Sequence, residues 1–259
     1  VYMNKKRVVG VIPARFKSYR FPGKVIQPIL GKPMIWHVYN QCKKASLLDE
    51  IIVATEDVRV AKLCESLSIP VMMSSDKHES GTERVLEVSG KIDGQVFINI
   101  QGDEPLIQGE MIDLVAKSFL EEDFHGVVTL KKYVSHDEEI LSPHVVKVVT
   151  DSENMALYFS RSVIPYSKTL SEGSYYKHIG LYGYVREVLE RMPDLPRTNM
   201  EKSENLEQLR LLNSGVKIKV LETPYETIGV DVPEDILKVE NYLKAMPPSG
   251  HQDVRAMGI

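Results

Sequence analysis

The sequence predicts an α/β fold built on a mainly parallel sheet. Three observations carry that prediction. Val8–Ile12, Ile51–Ala54 and Val96–Ile100 are short, continuous apolar runs rich in β-branched residues, the pattern of strands buried on both faces. Segments of helical period lie between them, and such alternation gives parallel strands joined by right-handed crossovers. The chain has 259 residues, of which 43% are apolar, enough for one large core.

In chain order, Val8–Ile12 is the first buried strand, and residues 13–32 read as a loop of Pro, Gly and basic residues. A helix is predicted from Pro33, since Pro suits a first turn and Met34, Ile35, Val38 and Cys42 share one face. Ile51–Ala54 is the next strand. Asp57 through Leu67 is helical, with Val60, Ala61, Leu63, Cys64 and Leu67 at helical spacing. Pro70–Met73 is a short strand, 82–90 a helix and Val96–Ile100 a strand. Further strands are predicted at Val127–Tyr133, Val145–Thr150, Ala156–Phe159 and Tyr175–Tyr184, with no long helix between them. Helices near 201–214 and 233–244 flank a strand at Val216–Leu221. The second half therefore adds antiparallel strands and a lobe to the parallel sheet. With no low-complexity linker and no repeat, residues 1–246 read as one domain, and the tail 247–259 is expected to be mobile.

The composition excludes several classes. There are 32 basic and 36 acidic residues, a net charge of −4, which argues against a general nucleic-acid binder. The charge is uneven. Residues 1–24 hold seven basic side chains and no Asp or Glu, which leaves 25 basic against 36 acidic residues in the rest. An enzyme that handles an anionic ligand near its N-terminal end fits that distribution. The two cysteines, Cys42 and Cys64, are too far apart for a Cys-x-x-Cys site and read as reduced interior thiols. No apolar run reaches the roughly 18–20 residues that span a membrane. The run before Pro13 is too short for a signal-peptide core, so no membrane insertion and a cytoplasmic location are expected.

Five segments can carry chemistry. Pro13–Lys24 follows the first buried strand, at the end where open α/β sheets bind ligands. Its Arg15, Lys17, Arg20 and Lys24 suit a polyphosphate, with Arg as a bidentate clamp and Lys as a point charge. It lacks the Walker A spacing and reads otherwise as a solvated basic loop. Gln101-Gly102-Asp103-Glu104-Pro105 follows the strand 96–100. It is either a turn or the source of a carboxylate for Mg²⁺, which takes one or two carboxylates and completes its shell with water and phosphate. In Gly229–Asp235, Asp231 is a natural helix cap, and gains a metal role only if it lies near Asp103. His78–Arg84 opens a helix with Ser80, Gly81 and Thr82, able to contact a base or to cap. In His178–Tyr184, alternation places His178, Gly180, Tyr182 and Tyr184 on one face, as a sugar-sized pocket or as plain amphipathic surface. None of the other five His residues (37, 125, 136, 144 and 251) makes a metal-ligand pair at i,i+4.

Together these segments resemble the 3-deoxy-manno-octulosonate (KDO) cytidylyltransferase family. Ile12–Lys24 is similar to its Ile-Pro-Ala-Arg…Pro-Gly-Lys signature. Ser80–Arg84, Gln101–Pro105, Tyr158–Arg161 with Ile164-Pro165, His178–Tyr184, Leu206–Arg210 and Gly229–Asp235 follow in the family's order. The resemblance covers roughly residues 8–243. It implies a Rossmann-like nucleotidyltransferase α/β/α sandwich with a smaller dimerisation lobe, hence a homodimer. The implied reaction joins CTP and KDO to give CMP-KDO and pyrophosphate, with Mg²⁺, for lipopolysaccharide synthesis.

Carried over residue by residue, Arg15 and Lys24 hold the triphosphate with help from Arg20. Ala14, Ser80, Gly81 and Thr82 contact the cytidine, and Gln101 supports nucleotide placement. Asp103 and Asp231 ligate Mg²⁺. Arg161 pairs with the sugar carboxylate, and His178, Tyr182, Glu207 and Gln208 line the sugar site. The catalytic set is thus Arg15, Lys24, Asp103 and Asp231. Phe21 stands where the family has Leu, Val185 intervenes before Arg186, and Asn199–Asn205 departs from the family beside the sugar site. An 8-amino analogue of KDO or a nonulosonic acid is the alternative sugar, and a glycosyltransferase of related topology the alternative activity. The expected chemistry is in-line attack of the anomeric hydroxyl on the α-phosphorus, with no covalent enzyme intermediate.

Overall fold

A computed structural model describes residues 6–245. The predicted tail at 247–259 lies outside the described residues. The chain runs β1 (Val8–Pro13), β2 (Pro28–Ile29), β3 (Lys32–Pro33), α1 (Met34–Cys42), β4 (Glu50–Thr55), α2 (Val58–Ser66), β5 (Val71–Met73), α3 (Gly81–Ser89), β6 (Val96–Asn99) and α4 (Gly109–Leu120). It continues with β7 (Val127–Val134), α5 (Asp137–Leu141), β8 (Lys147–Thr150), β9 (Ala156–Ser160), β10 (Tyr175–Val185), α6 (Arg186–Arg191), α7 (Asn199–Glu204), α8 (Gln208–Asn213), β11 (Ile218–Glu222) and α9 (Glu234–Ala245).

The main sheet has the order β11-β7-β10-β6-β1-β4-β5, and β8 and β9 hang from β10. β4, β1 and β6 pair in parallel, as do β4 with β5 and β11 with β7. β10 is antiparallel to both β6 and β7, so it alone runs against the other strands of that path. All six residues of β1 and all four of β6 are buried, as the apolar runs predict. The chain leaves β1 toward β4 and β5 on one side, then returns to β6 on the other. The sheet therefore has a topological switch point at β1, and the crevice at the ends of β1 and β6 is where such sheets bind ligands.

One core joins both halves, from Val8 and Ile12 through Ile98, Phe119 and Leu130 to Val220. Successive strand residues point to opposite faces, and this sorts the helices. Asn99 pairs with Tyr182, and a Cβ on Gly81 of α3 would lie 3.7 Å from the Asn99 amide. Ile98 pairs with Gly183, which lies against Val115 and Phe119 of α4. α3 and α4 thus cover opposite faces, giving three layers.

Three differences from the sequence reading stand out. α4 lay outside the predicted elements, although Met111, Ile112, Val115, Ala116 and Phe119 are its buried stripe. The helix predicted near 201–214 is two helices, because Asn205 between them is left-handed at φ 53°, a conformation Asn tolerates. β10 carries a bulge between Ile179 and Tyr182. It inserts two residues relative to β7, an even number, so His178, Tyr182 and Tyr184 keep the common face that alternation predicts.

Candidate active site

The loop after β1 is held in place from below. Glu56, just past β4, accepts from the backbone N–H groups of Phe16 (3.0 Å) and Lys17 (3.4 Å). Its other oxygen lies 2.9 Å from Arg84 of α3, the two side chains being 5% and 1% exposed. Arg84 also donates to Ser74 Oγ (2.6 Å) and the Ser75 carbonyl (2.9 Å). A buried ion pair of this kind depends on such neighbours, and here Glu56 Oε2 and Arg84 Nε themselves lack a hydrogen-bond partner among the described residues. Gly23 then turns the loop at φ 68°, where a Cβ would also meet the Phe16 ring at 2.9 Å. That turn sends Lys24 inward.

Lys24 Nζ donates to Asp103 Oδ2 at 2.5 Å and to the Val230 carbonyl at 3.0 Å. It lies 3.5 Å from Asp231, and Arg20 lies 3.1 Å from the same carboxylate. Three predicted segments thus meet at one point. Gly102 makes the approach possible, since a Cβ there would sit 2.6 Å from the Pro13 carbonyl oxygen. The Val230 N–H donates to the Asp103 carbonyl at 2.9 Å, closing the third side. Asp231 is not the cap of α9. Asp235, inside the first turn of α9, accepts from the backbone N–H groups of Asp231 (3.0 Å) and Val232 (3.2 Å) just ahead of the helix, while the Asp231 carboxylate meets the cations.

Two carboxylates converging on one ammonium are a hard-oxygen pair of the kind Mg²⁺ takes alongside phosphate oxygens. Among the described residues no group of three or more His, Cys, Asp or Glu is placed to hold a metal. The donor chemistry therefore fits a cation completed by substrate, not a closed protein cage. Neighbouring Glu104 is raised to about 8 by burial, then by the charges of Asp103 and Glu226. Arg15 donates to the Glu79 carbonyl at 2.9 Å, and its buried Nε has no partner among the described residues. Ala14 is fully buried, its N–H donating to Ala54 in line with the sheet.

Beside this charged mouth lies a cavity of about 190 Å³. Ser80, Gly81 and Thr82 line it on the α3 side, and Tyr182, Glu207 and Gln208 face them, with Gln101 between the two groups in the sequence. Ser80 also caps α3, accepting from the Glu83 N–H at 3.2 Å, while Glu83 accepts from the Glu79 N–H at 2.7 Å. This is a Ser N-cap with the Glu83 side chain reaching one residue ahead of it, so capping and cavity lining coexist here. Gln101 donates to the Gly180 carbonyl at 3.1 Å.

His178 packs edge-on to Phe159 and 5.2 Å from the Tyr182 ring. Its Nε2 lies 3.0 Å from Thr129 Oγ1, whose hydroxyl serves the bulged carbonyls of Ile179 (3.1 Å) and Leu181 (2.9 Å). Burial pushes His178 down to about 3, so the ring is neutral at physiological pH. Burial and the nearby Glu207 raise Tyr182 and Tyr184, which stay protonated. Arg161 does not line the cavity. Its guanidinium donates to the carbonyls of Glu204 (2.7 Å) and Pro143 (3.0 Å).

Sequence reasoning missed Glu56, Arg84 and Asn99 as parts of this site. Arg84 lies inside the quoted Ser80–Arg84 motif, but an acid two residues after a strand and an Asn within one carry no local signal.

Comparison with known proteins places the chain in one family. A family model described as Cytidylyltransferase matches residues 9–218. A 3-deoxy-manno-octulosonate cytidylyltransferase of Geotalea uraniireducens is 45% identical, covering 92% of this chain and 99% of the relative. One from Pelobacter propionicus is 43% identical over 92% and 98%. The structure of a CMP:2-keto-3-deoxy-manno-octonic acid synthetase complexed with CTP superposes with a TM-score of 0.88 at 40% identity, covering 92% of this chain and 98% of that one. No helix among the described residues is long and apolar enough to cross a membrane. The chain belongs to the 3-deoxy-manno-octulosonate cytidylyltransferase family.

Proposed function

We propose that this protein transfers the cytidylyl group of CTP to KDO, giving CMP-KDO and pyrophosphate. The observation that carries the reading is the convergence of Lys24, Arg20, Asp103 and Asp231 at the ends of β1 and β6, beside a polar cavity of sugar size.

Arg15, Arg20 and Lys24 bind the triphosphate and offset the charge that grows on the leaving pyrophosphate. Ser80–Thr82 present the α3 N-terminus and its hydroxyls to the nucleoside. Tyr182, Glu207 and Gln208 orient the sugar acid, with neutral His178 fixing the Tyr182 ring from behind. Asp103 and Asp231 would hold Mg²⁺, which supplies charge neutralisation at the phosphates and lowers the pKa of a bound hydroxyl. Lys24 then exchanges a carboxylate partner for a phosphate one. The bond formed joins the anomeric oxygen to the α-phosphorus, and the bond broken is that between the α-phosphorus and the bridging oxygen.

The protein acts in the cytoplasm in preparing sugar for lipopolysaccharide, and as a homodimer. Leu157 on the outlying strand β9 and Tyr133 on β7 are large exposed apolar residues that support an association surface. A pyrophosphate-release assay of each nucleoside triphosphate against KDO, its 8-amino analogue and a sialic acid tests the reaction. Release with CTP and KDO is expected. Activity confined to another sugar acid, or formation of a nucleoside diphosphate, would overturn it. Light scattering on the eluting protein tests the dimer.

A further inference from the structure

Asn99 closes β6 at the edge of the cavity, and no role is given to it above. Its backbone is fixed on both sides, paired with Val11 of β1 and with Tyr182 of β10. The residue is 3% exposed. Its Oδ1 is buried without a hydrogen-bond partner among the described residues, and the same holds for the Tyr182 hydroxyl. Both residues line the one cavity. A buried polar atom is normally paired, and one left unpaired costs stability. Two of them, on neighbouring strands whose residues line a space shared with Ser80, Thr82, Glu207 and Gln208, mark a place built for a hydroxylated ligand.

We propose that Asn99 is a further substrate-binding residue, whose side chain accepts a hydrogen bond from a substrate hydroxyl where the nucleoside and sugar subsites meet. The proposal rests on the proposed reaction. The hydroxyl belongs either to the ribose or to the sugar acid, both of which present the same donor. The Tyr182 hydroxyl completes the pair from the opposite strand, so the ligand is read against a rigid sheet rather than a loop.

Asn99→Leu keeps the volume and removes the acceptor, and Asn99→Asp restores an oxygen at the same place. Asn99→Ala is the variant to use if Leu fails to fold. Each is assayed for pyrophosphate release with CTP and the sugar acid varied separately, and melted to confirm folding. Asn99→Leu is expected to raise the KM of one substrate about tenfold or more, with partial recovery in Asn99→Asp. The substrate whose KM moves identifies the donor. The same assay with 2′-deoxy-CTP, 3′-deoxy-CTP and deoxy sugar acids completes a cycle. The analogue that lacks the bonded hydroxyl loses the penalty of the Leu variant. A folded Asn99→Leu or Asn99→Ala with both KM values and kcat within twofold overturns the proposal, whatever its melting temperature. So does a penalty equal for every analogue. Wild-type protein that releases no pyrophosphate with any sugar acid instead overturns the proposed reaction.

Discussion

The charged mouth and the cavity beside it are neighbours of different character. At the mouth, Lys24, Arg20, Asp103 and Asp231 compensate one another within 3.5 Å, and part of each side chain still meets solvent. Along the cavity Tyr182 and Tyr184, and behind them His178, are kept uncharged, first of all by burial. The first region can exchange its ionic partners for a polyphosphate and a cation at little desolvation cost. In the second these three rings stay neutral, so they can offer only fixed hydrogen bonds beside the Glu207 carboxylate. On the proposed reaction, group transfer falls to the mouth and discrimination of the ligand to the cavity.

Four experiments test that division, from the largest expected effect to the smallest. Asp103→Asn removes a charge at the mouth without changing shape. Turnover should fall by about a thousandfold in a pyrophosphate-release assay, while the melting temperature stays within a few degrees. Near-normal turnover would remove the mouth from the chemistry. Glu56→Gln strands Arg84 in the interior, because the one remaining acceptor oxygen must serve either the guanidinium or the N–H groups of Phe16 and Lys17. Breaking a buried pair costs about 3–5 kcal/mol, readable by urea unfolding, and the KM for CTP should rise with it. A variant as stable as wild type would show that the loop is held by other contacts.

The third experiment uses pH. The ordinary value of 6.5 for His178 is pushed down to about 3 by burial. Between those values the unfolded chain binds a proton that the folded chain refuses, so stability falls as pH drops through that window. His178→Gln should flatten the fall in unfolding free energy between pH 7 and pH 4 relative to wild type. An unchanged slope would mean that the ring protonates in the folded state. The smallest effect belongs to Arg20→Ala. That side chain is 59% exposed, so its loss should raise the KM for CTP by about threefold, and less in high salt.

Much of the sheet was legible because buried parallel strands must be apolar on both faces, and β1, β4 and β6 are. α4 was not, and its start explains why. No side chain caps it at Gln108, and its first residue is Gly109, so neither of the usual start signals is present. The break at Asn205 depends on one left-handed residue inside a pattern that reads as continuous. In the site, the cation-rich loop and the Gly-Asp turn stood out through residue type and place. That Lys24 reaches Asp103 across 79 positions could not be read locally, because it depends on the Gly102–Pro13 approach. The capping reading of Asp231 fails because its carboxylate meets Arg20 and Lys24, contacts that no local pattern shows. Arg161 shows the converse, since its guanidinium is engaged by backbone carbonyls rather than turned to the cavity.

β10 pairs with β6, β7 and β8 in one continuous run of 11 residues. A register slip of one residue turns every side chain of a strand to the opposite face. Here a single slip would carry Tyr182 and Tyr184 out of the cavity, take His178 from behind them, and misalign three partner strands together. Insertions or deletions of one residue within 175–185 should therefore be among the least tolerated in the chain, whereas the two-residue step already present at 179–182 marks the one change of length that this strand can absorb in phase.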